Sequence, residues 1–221
     1  MYGGKPLPKP QIPRNVQTVG QGSPKTYAVL GDSTAVGLGG DYQQGIAMQT
    51  ARHIGKTHTV HFQNFAVAGA RVQDVLRNQV PQATYLKPDF VLLAVGANDV
   101  TRRTPLPNIR TGMQAIVTKF ITINPHVKII LTGAPAMGVV PRIPQPLRYL
   151  AGERTKQVNA VMGKIAQRTQ VYLAPIAQRT GSVLKKQPHV FARDNFHPNT
   201  LGYRLWAPVL NRELDTAQSH P

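Results

Sequence analysis

The sequence predicts a three-layer α/β/α sandwich built on a five-stranded, mostly parallel sheet. Three observations carry the prediction. From Thr26 onward, short apolar blocks alternate with helix-length amphipathic segments, the pattern of consecutive βαβ units. The block Phe90-Val-Leu-Leu-Ala-Val95 is apolar at every position, as a parallel strand buried on both faces must be. Glycine-bearing polar loops follow the first three blocks, and in such folds ligands bind beyond the carboxyl ends of the strands.

Taken in order, residues 27–30 form the first expected strand, followed by a helix over 42–54 with Ile46, Ala47, Ala51 and Ile54 on one face. The second strand is expected over 60–65, and the helix after it over 72–80, stopped by Pro81 because proline cannot donate to the helical ladder. The third strand is 90–95, followed by a helix over 109–123. A fourth strand over 127–132, a helix over 148–169 and a short fifth strand over 171–174 come next. The last helix runs over 200–214, behind Pro198 and with Asn199 or Thr200 as cap. There is no internal repeat.

With 221 residues the chain supports one well-buried core but not two full domains. The expected organisation is an arm or linker over 1–25, a domain over 26–214 and a tail over 215–221. The arm holds Pro6, Pro8, Pro10, Pro13 and Pro24 with Lys5, Lys9, Arg14 and Lys25 and no acid, a composition that favours extended chain. It either wraps the domain or tethers it to something upstream.

The net charge is +17, from 26 Lys and Arg against 9 Asp and Glu. That balance points toward polyanionic partners, with an anionic membrane or a cell-wall polymer surface as candidates. The competing reading is a basic but solvated surface. Nucleic acid is not an expected partner, because only the pairs Arg102-Arg103 and Lys185-Lys186 occur and no zinc-finger spacing or aromatic RNP-like strand is present. The lack of cysteine excludes disulfides, zinc–thiolate sites and cysteine nucleophiles. No apolar stretch reaches the ~18 residues of a membrane span, and Met1-Tyr2-Gly3-Gly4 lacks the regions of a signal peptide. The expected location is bacterial and outside the cytoplasmic membrane, tethered or with a leader removed, with a cytoplasmic location as the alternative.

Four loops concentrate the unusual polar residues: Gly31-Asp32-Ser33-Thr34, the turn ending at Gly69, Gly96-Ala97-Asn98-Asp99, and Asp194-Asn195-Phe196-His197-Pro198. The topology brings all four to one rim. A serine hydroxyl attacks only when a neighbouring base removes its proton, so a nucleophilic serine needs an imidazole in reach and a group to orient it. Of the four serines, Ser23 is in the arm, Ser182 is expected in a loop beside Gly181, and Ser219 is nearly terminal. Ser33 alone stands at a strand end ahead of a helix, whose N–H groups would face an oxyanion. Asp194 lies three residues before His197, close enough to fold onto the imidazole. Taken singly, a Gly-Asp-Ser or a Gly-x-Asn-Asp is an ordinary turn and a His-Pro is a helix start.

Together, Gly-Asp-Ser near the amino end, a glycine in Asn-x-x-x-x-Gly, Gly-x-Asn-Asp and a late Asp-x-x-His-Pro resemble the four motif blocks of the SGNH (GDSL-type) hydrolases, spanning Gly31 to Pro198. The resemblance implies the flavodoxin-like sheet of that fold and ester hydrolysis by two-step acyl transfer. It implies Ser33 as nucleophile, His197 as base and then acid, and Asp194 as its orienting partner. Ser33 N–H, Gly69 N–H and the Asn98 amide would form the oxyanion hole. No metal or organic cofactor is implied. Thr34 stands where the family name has leucine. The implied substrate is a small-molecule ester, from short-chain acyl esters, lysophospholipids and acetylated glycans.

Asp32, Thr34, Pro141 and Ile143 are expected to contact substrate. The last two belong to a Pro-rich apolar loop over 134–146, which either lines an acyl pocket or simply connects to the long helix. His53, His58, His61, His126 and His189 show no metal-ligand spacing and read as structural or surface residues. Two rivals stand beside this reading. One is an α/β-hydrolase, since Gly31-Asp-Ser33-Thr-Ala35 loosely imitates Gly-x-Ser-x-Gly, although that fold places its serine after several strands. The other is an inactive basic module that binds glycan or membrane on the same scaffold.

Overall fold

Strand β2 (Ser23–Gly31) pairs in parallel with β3 (His58–Asn64) on one side and β4 (Phe90–Ala94) on the other. The sheet continues through β5 (Lys128–Leu131) and β6 (Val171–Leu173), both parallel. A computed structural model describes residues 7–8, 10–13 and 15–219. Six strands are present among them, not five. The extra one, β1 (Gln17–Val19), pairs antiparallel with β3 and gives the order β1-β3-β2-β4-β5-β6.

β1 lies inside the segment expected to be an arm, and β2 starts three residues before the expected domain boundary. Ile12 also packs against the core, so the described part of the arm wraps the domain. Pro6, Lys5, Lys9 and Arg14, along with the first four residues, lie outside the described residues.

Side chains alternate across a strand, and β2 divides them between two layers. Ala28 and Leu30 face a core shared with Val91, Leu93, Ile129 and Leu131. The helices α6 (Leu106–Ile123) and α7 (Leu147–Ile165) cover it. In α6, Ile109, Met113, Ile116, Val117 and Phe120 fall on one face at helical spacing and are all buried. Tyr27 and Val29 face the other layer, covered by α2 (Ile46–Ile54) and α9 (Thr200–Ser219) through Ile46, Ala51, Ile54, Tyr203, Trp206 and Leu210. Each large apolar side chain so buried contributes about 1.5–3 kcal/mol.

Three expectations are corrected. Pro81 does not end its helix. The chain runs from α3 (Val72–Asp74) through a π-helical turn (Val75–Gln79) into α4 (Val80–Thr84), where Val80 N–H bonds the Val75 carbonyl. The wider turn lets the chain continue past a residue that has no N–H and whose ring would crowd an α-helical ladder. Residues 176–186 form α8 (Ile176–Lys186), so Ser182 sits on a helix and not in a loop. Gly181 lies inside that helix at the point nearest Ala136, where a Cβ would stand 3.1 Å from the Ala136 side chain. The last helix reaches Ser219, taking in most of the expected tail. None of the helices among the described residues is long and apolar enough to cross a membrane.

Candidate active site

β2 ends in Gly31, whose φ is +145°. A Cβ there would meet the Ala94 carbonyl oxygen at 1.9 Å, so only glycine lets β2 and β4 close at this point. The Gln79 side chain braces the same residue: it accepts from Gly31 N–H at 2.8 Å and donates to Gly31 C=O at 2.9 Å. Asp32 follows, and its Oδ1 accepts from the Thr34 N–H and hydroxyl, each at 2.9 Å, capping the short helix α1 (Ser33–Val36). Ser33 is therefore the first residue of a helix at the carboxyl edge of the sheet, and the Ser33 N–H donates to nothing among the described residues.

The Asp194–His197 loop crosses the same edge. Asp194 Oδ1 accepts from the backbone N–H groups of Phe196, at 3.0 Å, and of His197, at 3.1 Å. Its Oδ2 lies 2.6 Å from His197 Nδ1. A carboxylate only accepts, so the imidazole proton sits on Nδ1 and Nε2 is left as acceptor. Ser33 Oγ stands 3.0 Å from Nε2 and donates to it. Burial pushes the Asp194 carboxyl up, but the bonds from the His197 ring and from the two backbone N–H groups outweigh this and hold it below the usual carboxylate range. Asn199 caps α9 immediately downstream, accepting from Leu201 N–H and Gly202 N–H, and so fixes the exit of the loop.

Asn98 lies in α5 (Ala97–Thr101), and its side-chain amide donates to Ala70 C=O at 3.1 Å, leaving one N–H free. Ala70 closes the turn that carries Gly69, which has φ +88°, so the two candidate donors belong to one hydrogen-bonded unit. The Gly69 N–H has no acceptor among the described residues. Such free N–H groups, together with that of Ser33, can receive a developing oxyanion.

The four expected substrate contacts separate. Thr34 borders a small apolar cavity beside Ser33 and His197, with Ala97, Met137, Val140 and Phe196 among its walls and a volume of about 20 Å³. That is room for one water- or methyl-sized group. Asp32 is 1% exposed and holds the backbone of α1, so it does not reach substrate. Burial pushes its carboxyl up to about 6 against the opposing pull of the Thr34 bonds, and the nearby Asp99 pushes it further. Its Oδ2 has no hydrogen bond of normal geometry, although the Ala97 N–H lies near enough to draw the carboxyl down slightly.

Pro141 and Ile143 do not line the cavity beside Ser33. The Arg148 guanidinium bonds both of their carbonyls, at 2.9 and 2.7 Å, and pulls this stretch toward the start of α7. Ile143 instead borders a larger cleft of about 540 Å³ between α5 and α7. Gln79 carries no signal of this role in the sequence, since a lone glutamine on a helix does not announce what it braces.

This edge, with serine, histidine and aspartate joined in one hydrogen-bonded chain over a parallel sheet, is the architecture of an α/β ester hydrolase. The chain belongs to the GDSL-like lipase/acylhydrolase family, whose model matches residues 29–205. It is 26% identical over 195 residues to the GDSL-like esterase Rv1075c of Mycobacterium tuberculosis, a match covering 82% of this chain and 59% of that protein. The chain thus spans about three-fifths of the length of that curated relative. Among solved structures it is similar to TesA, with a TM-score of 0.71 at 20% identity over 87% of this chain and 99% of the other. It is also similar to a family 3 carbohydrate esterase of Clostridium thermocellum, with a TM-score of 0.66 at 19% identity over 89% and 98%. Both likenesses are likenesses of fold.

Proposed function

We propose that the chain hydrolyses esters of short acyl groups by two-step acyl transfer, with Ser33 as nucleophile, His197 as proton carrier and Asp194 as its orienting partner. The observation that carries this reading is the relay Ser33 Oγ to His197 Nε2, 3.0 Å, and His197 Nδ1 to Asp194 Oδ2, 2.6 Å. His197 takes the Ser33 proton as Oγ bonds to the ester carbonyl carbon, and the carbonyl oxygen becomes an oxyanion. The N–H groups of Ser33 and Gly69 and the free N–H of Asn98 stabilise that charge. The C–O bond to the alcohol then breaks, and His197 delivers its proton to the departing oxygen. Water repeats the sequence on the acyl-enzyme, releasing the acid and restoring Ser33.

The preference for short acyl groups is supported by the cavity beside Ser33, which has room for about one methyl. A 4-nitrophenyl ester series from acetate to octanoate tests it, with kcat/KM expected to be highest at acetate. A maximum at octanoate would overturn the acyl-size part. Labelling by a serine-reactive phosphonate at a residue other than Ser33 would overturn the nucleophile.

A further inference from the structure

Three arginines stand on the open side of the Ser33 site. Arg102 and Arg103 directly follow α5, the helix that carries Ala97 and Asn98, and both are exposed. A terminal nitrogen of Arg102 lies 4.0 Å from the point a Gly69 Cβ would occupy, so the guanidinium overhangs one of the proposed oxyanion donors. Arg103 and Arg154 line the cleft of about 540 Å³, whose apolar wall includes Ile143, Leu147 and Leu150. The cleft and the cavity beside Ser33 occupy successive turns of the same two segments: Ala97 and Val140 border the cavity, Val100 and Ile143 the cleft.

Asp99 of α5 is fully buried, and two other acids nearby, one of them Glu153 in the cleft wall, are engaged in ion pairs. Asp74 pairs with Arg71 at 3.3 Å, and Glu153 pairs with Lys156 at 2.7 Å. Arg102 is near enough to help draw the Asp74 carboxyl down, but no carboxylate among the described residues lies within ion-pair distance of Arg102 or Arg103. Arg154 is fixed in the cleft wall by bonds to Thr104 C=O and to Gln157, and its Nε is buried without a partner. Arg103 holds φ +53°, a left-handed conformation that an arginine adopts only against a steric cost.

We propose that Arg102 and Arg103 are specificity residues that bind an oxyanion, a carboxylate or a phosphate, on the alcohol portion of the substrate. The inference rests on Ser33 as nucleophile. The cavity beside Ser33 accepts about a methyl, so the bulk of the substrate lies outward, over Gly69 and along the cleft. There it meets guanidinium groups that have no internal carboxylate and whose planar fork matches the geometry of carboxylate and phosphate. The substrate class is therefore an acetyl-sized ester of an anionic alcohol.

The test compares 4-acetoxybenzoate with the neutral isostere 4-acetoxybenzamide, and 4-acetoxyphenyl phosphate separates phosphate from carboxylate recognition. In the double variant Arg102→Gln, Arg103→Gln the ratio of kcat/KM for anionic over neutral ester is expected to fall about tenfold, as charge-assisted bonds are lost. With the unaltered protein, raising NaCl from low to moderate concentration should lower the same ratio, because exposed charges are screened. A ratio that neither the variant nor salt moves, with the neutral ester still hydrolysed, overturns the inference and leaves the esterase reading standing. No turnover of any of the three esters overturns the esterase reading, and the inference falls with it.

Discussion

The Gln79 side chain treats Gly31 as a neighbouring strand would, accepting from its N–H and donating to its carbonyl. Both Gly31 groups are thereby satisfied at the end of β2, two residues before Ser33, by a side chain that the π-helical turn aims inward. Replacing Gln79 by leucine keeps the bulk and leaves the Gly31 N–H unpaired, while the Gly31 carbonyl keeps the Val67 N–H at 3.2 Å. Each buried polar group left unpaired costs about 1–3 kcal/mol. Thermal or urea unfolding of Gln79→Leu should show a loss of about 1–3 kcal/mol together with a lowered kcat. An unchanged melting curve would mean that water replaces the amide.

Ser33→Ala and His197→Ala are each expected to lower kcat for ester hydrolysis by ~10³-fold or more while the far-ultraviolet circular dichroism stays unchanged. Asp194→Ala should be somewhat milder, because Asp194 orients the imidazole and neither attacks nor carries the transferred proton. Near-normal turnover by Ser33→Ala would remove it as nucleophile.

Asn98→Ala should reduce kcat by roughly 10²-fold, about 2.7–4 kcal/mol of transition-state stabilisation, with KM little changed. The same amide also donates to Ala70 C=O, so a stability loss of about 1 kcal/mol should accompany it. Unchanged kcat alongside that stability loss would assign Asn98 to the turn alone.

Asp32 gives a pH signature of unusual sign. Its carboxyl titrates near 6 in the folded chain and near the ordinary value of 3.8 when unfolded, so between those values the folded state holds the extra proton. Stability from this group is therefore full below pH 4 and declines as pH rises through 6. Asp32→Asn keeps an acceptor for Thr34 and carries no charge. It should stabilise the fold by on the order of 2–3 kcal/mol above pH 7, an advantage that vanishes below pH 4. Urea titrations of both proteins at pH 4 and pH 8 measure it, and equal differences at the two pH values would contradict a buried ionised Asp32.

Three of the four polar loops were legible in the sequence because each is short, glycine-bearing and tied to a strand end by the alternation of apolar blocks, and the fourth because its Asp-x-x-His-Pro stands directly before the last helix. Their residues are also local to one another: Asp194 and His197 pair across three positions, and Asp32 and Thr34 across two. What escaped depends on packing between distant segments. Nothing in Val75–Gln79 announces a π turn, since only the need to carry the helix past Pro81, which has no N–H, demands one. Gly181 reads as a break in α8 until the approach of Ala136 explains it. Pro141 and Ile143 read as acyl-pocket contacts because their loop follows a strand end, with a plain connection to the long helix as the alternative; bonds from Arg148, further along the chain, hold them outside the cavity beside Ser33. Asp32 is polar and adjacent to Ser33, and only its burial reveals that it supports the backbone.

β1 is three residues long, yet it decides what the sheet presents to its surroundings. Without it the outer side of β3 would expose a row of unpaired N–H and C=O groups, a ready template for a strand from another copy of the chain. A chain shortened to begin at Ser23 would keep every residue of the Ser33, His197 and Asp194 relay but would have an open edge. Self-association at that edge, not loss of chemistry, is the defect such a protein should show.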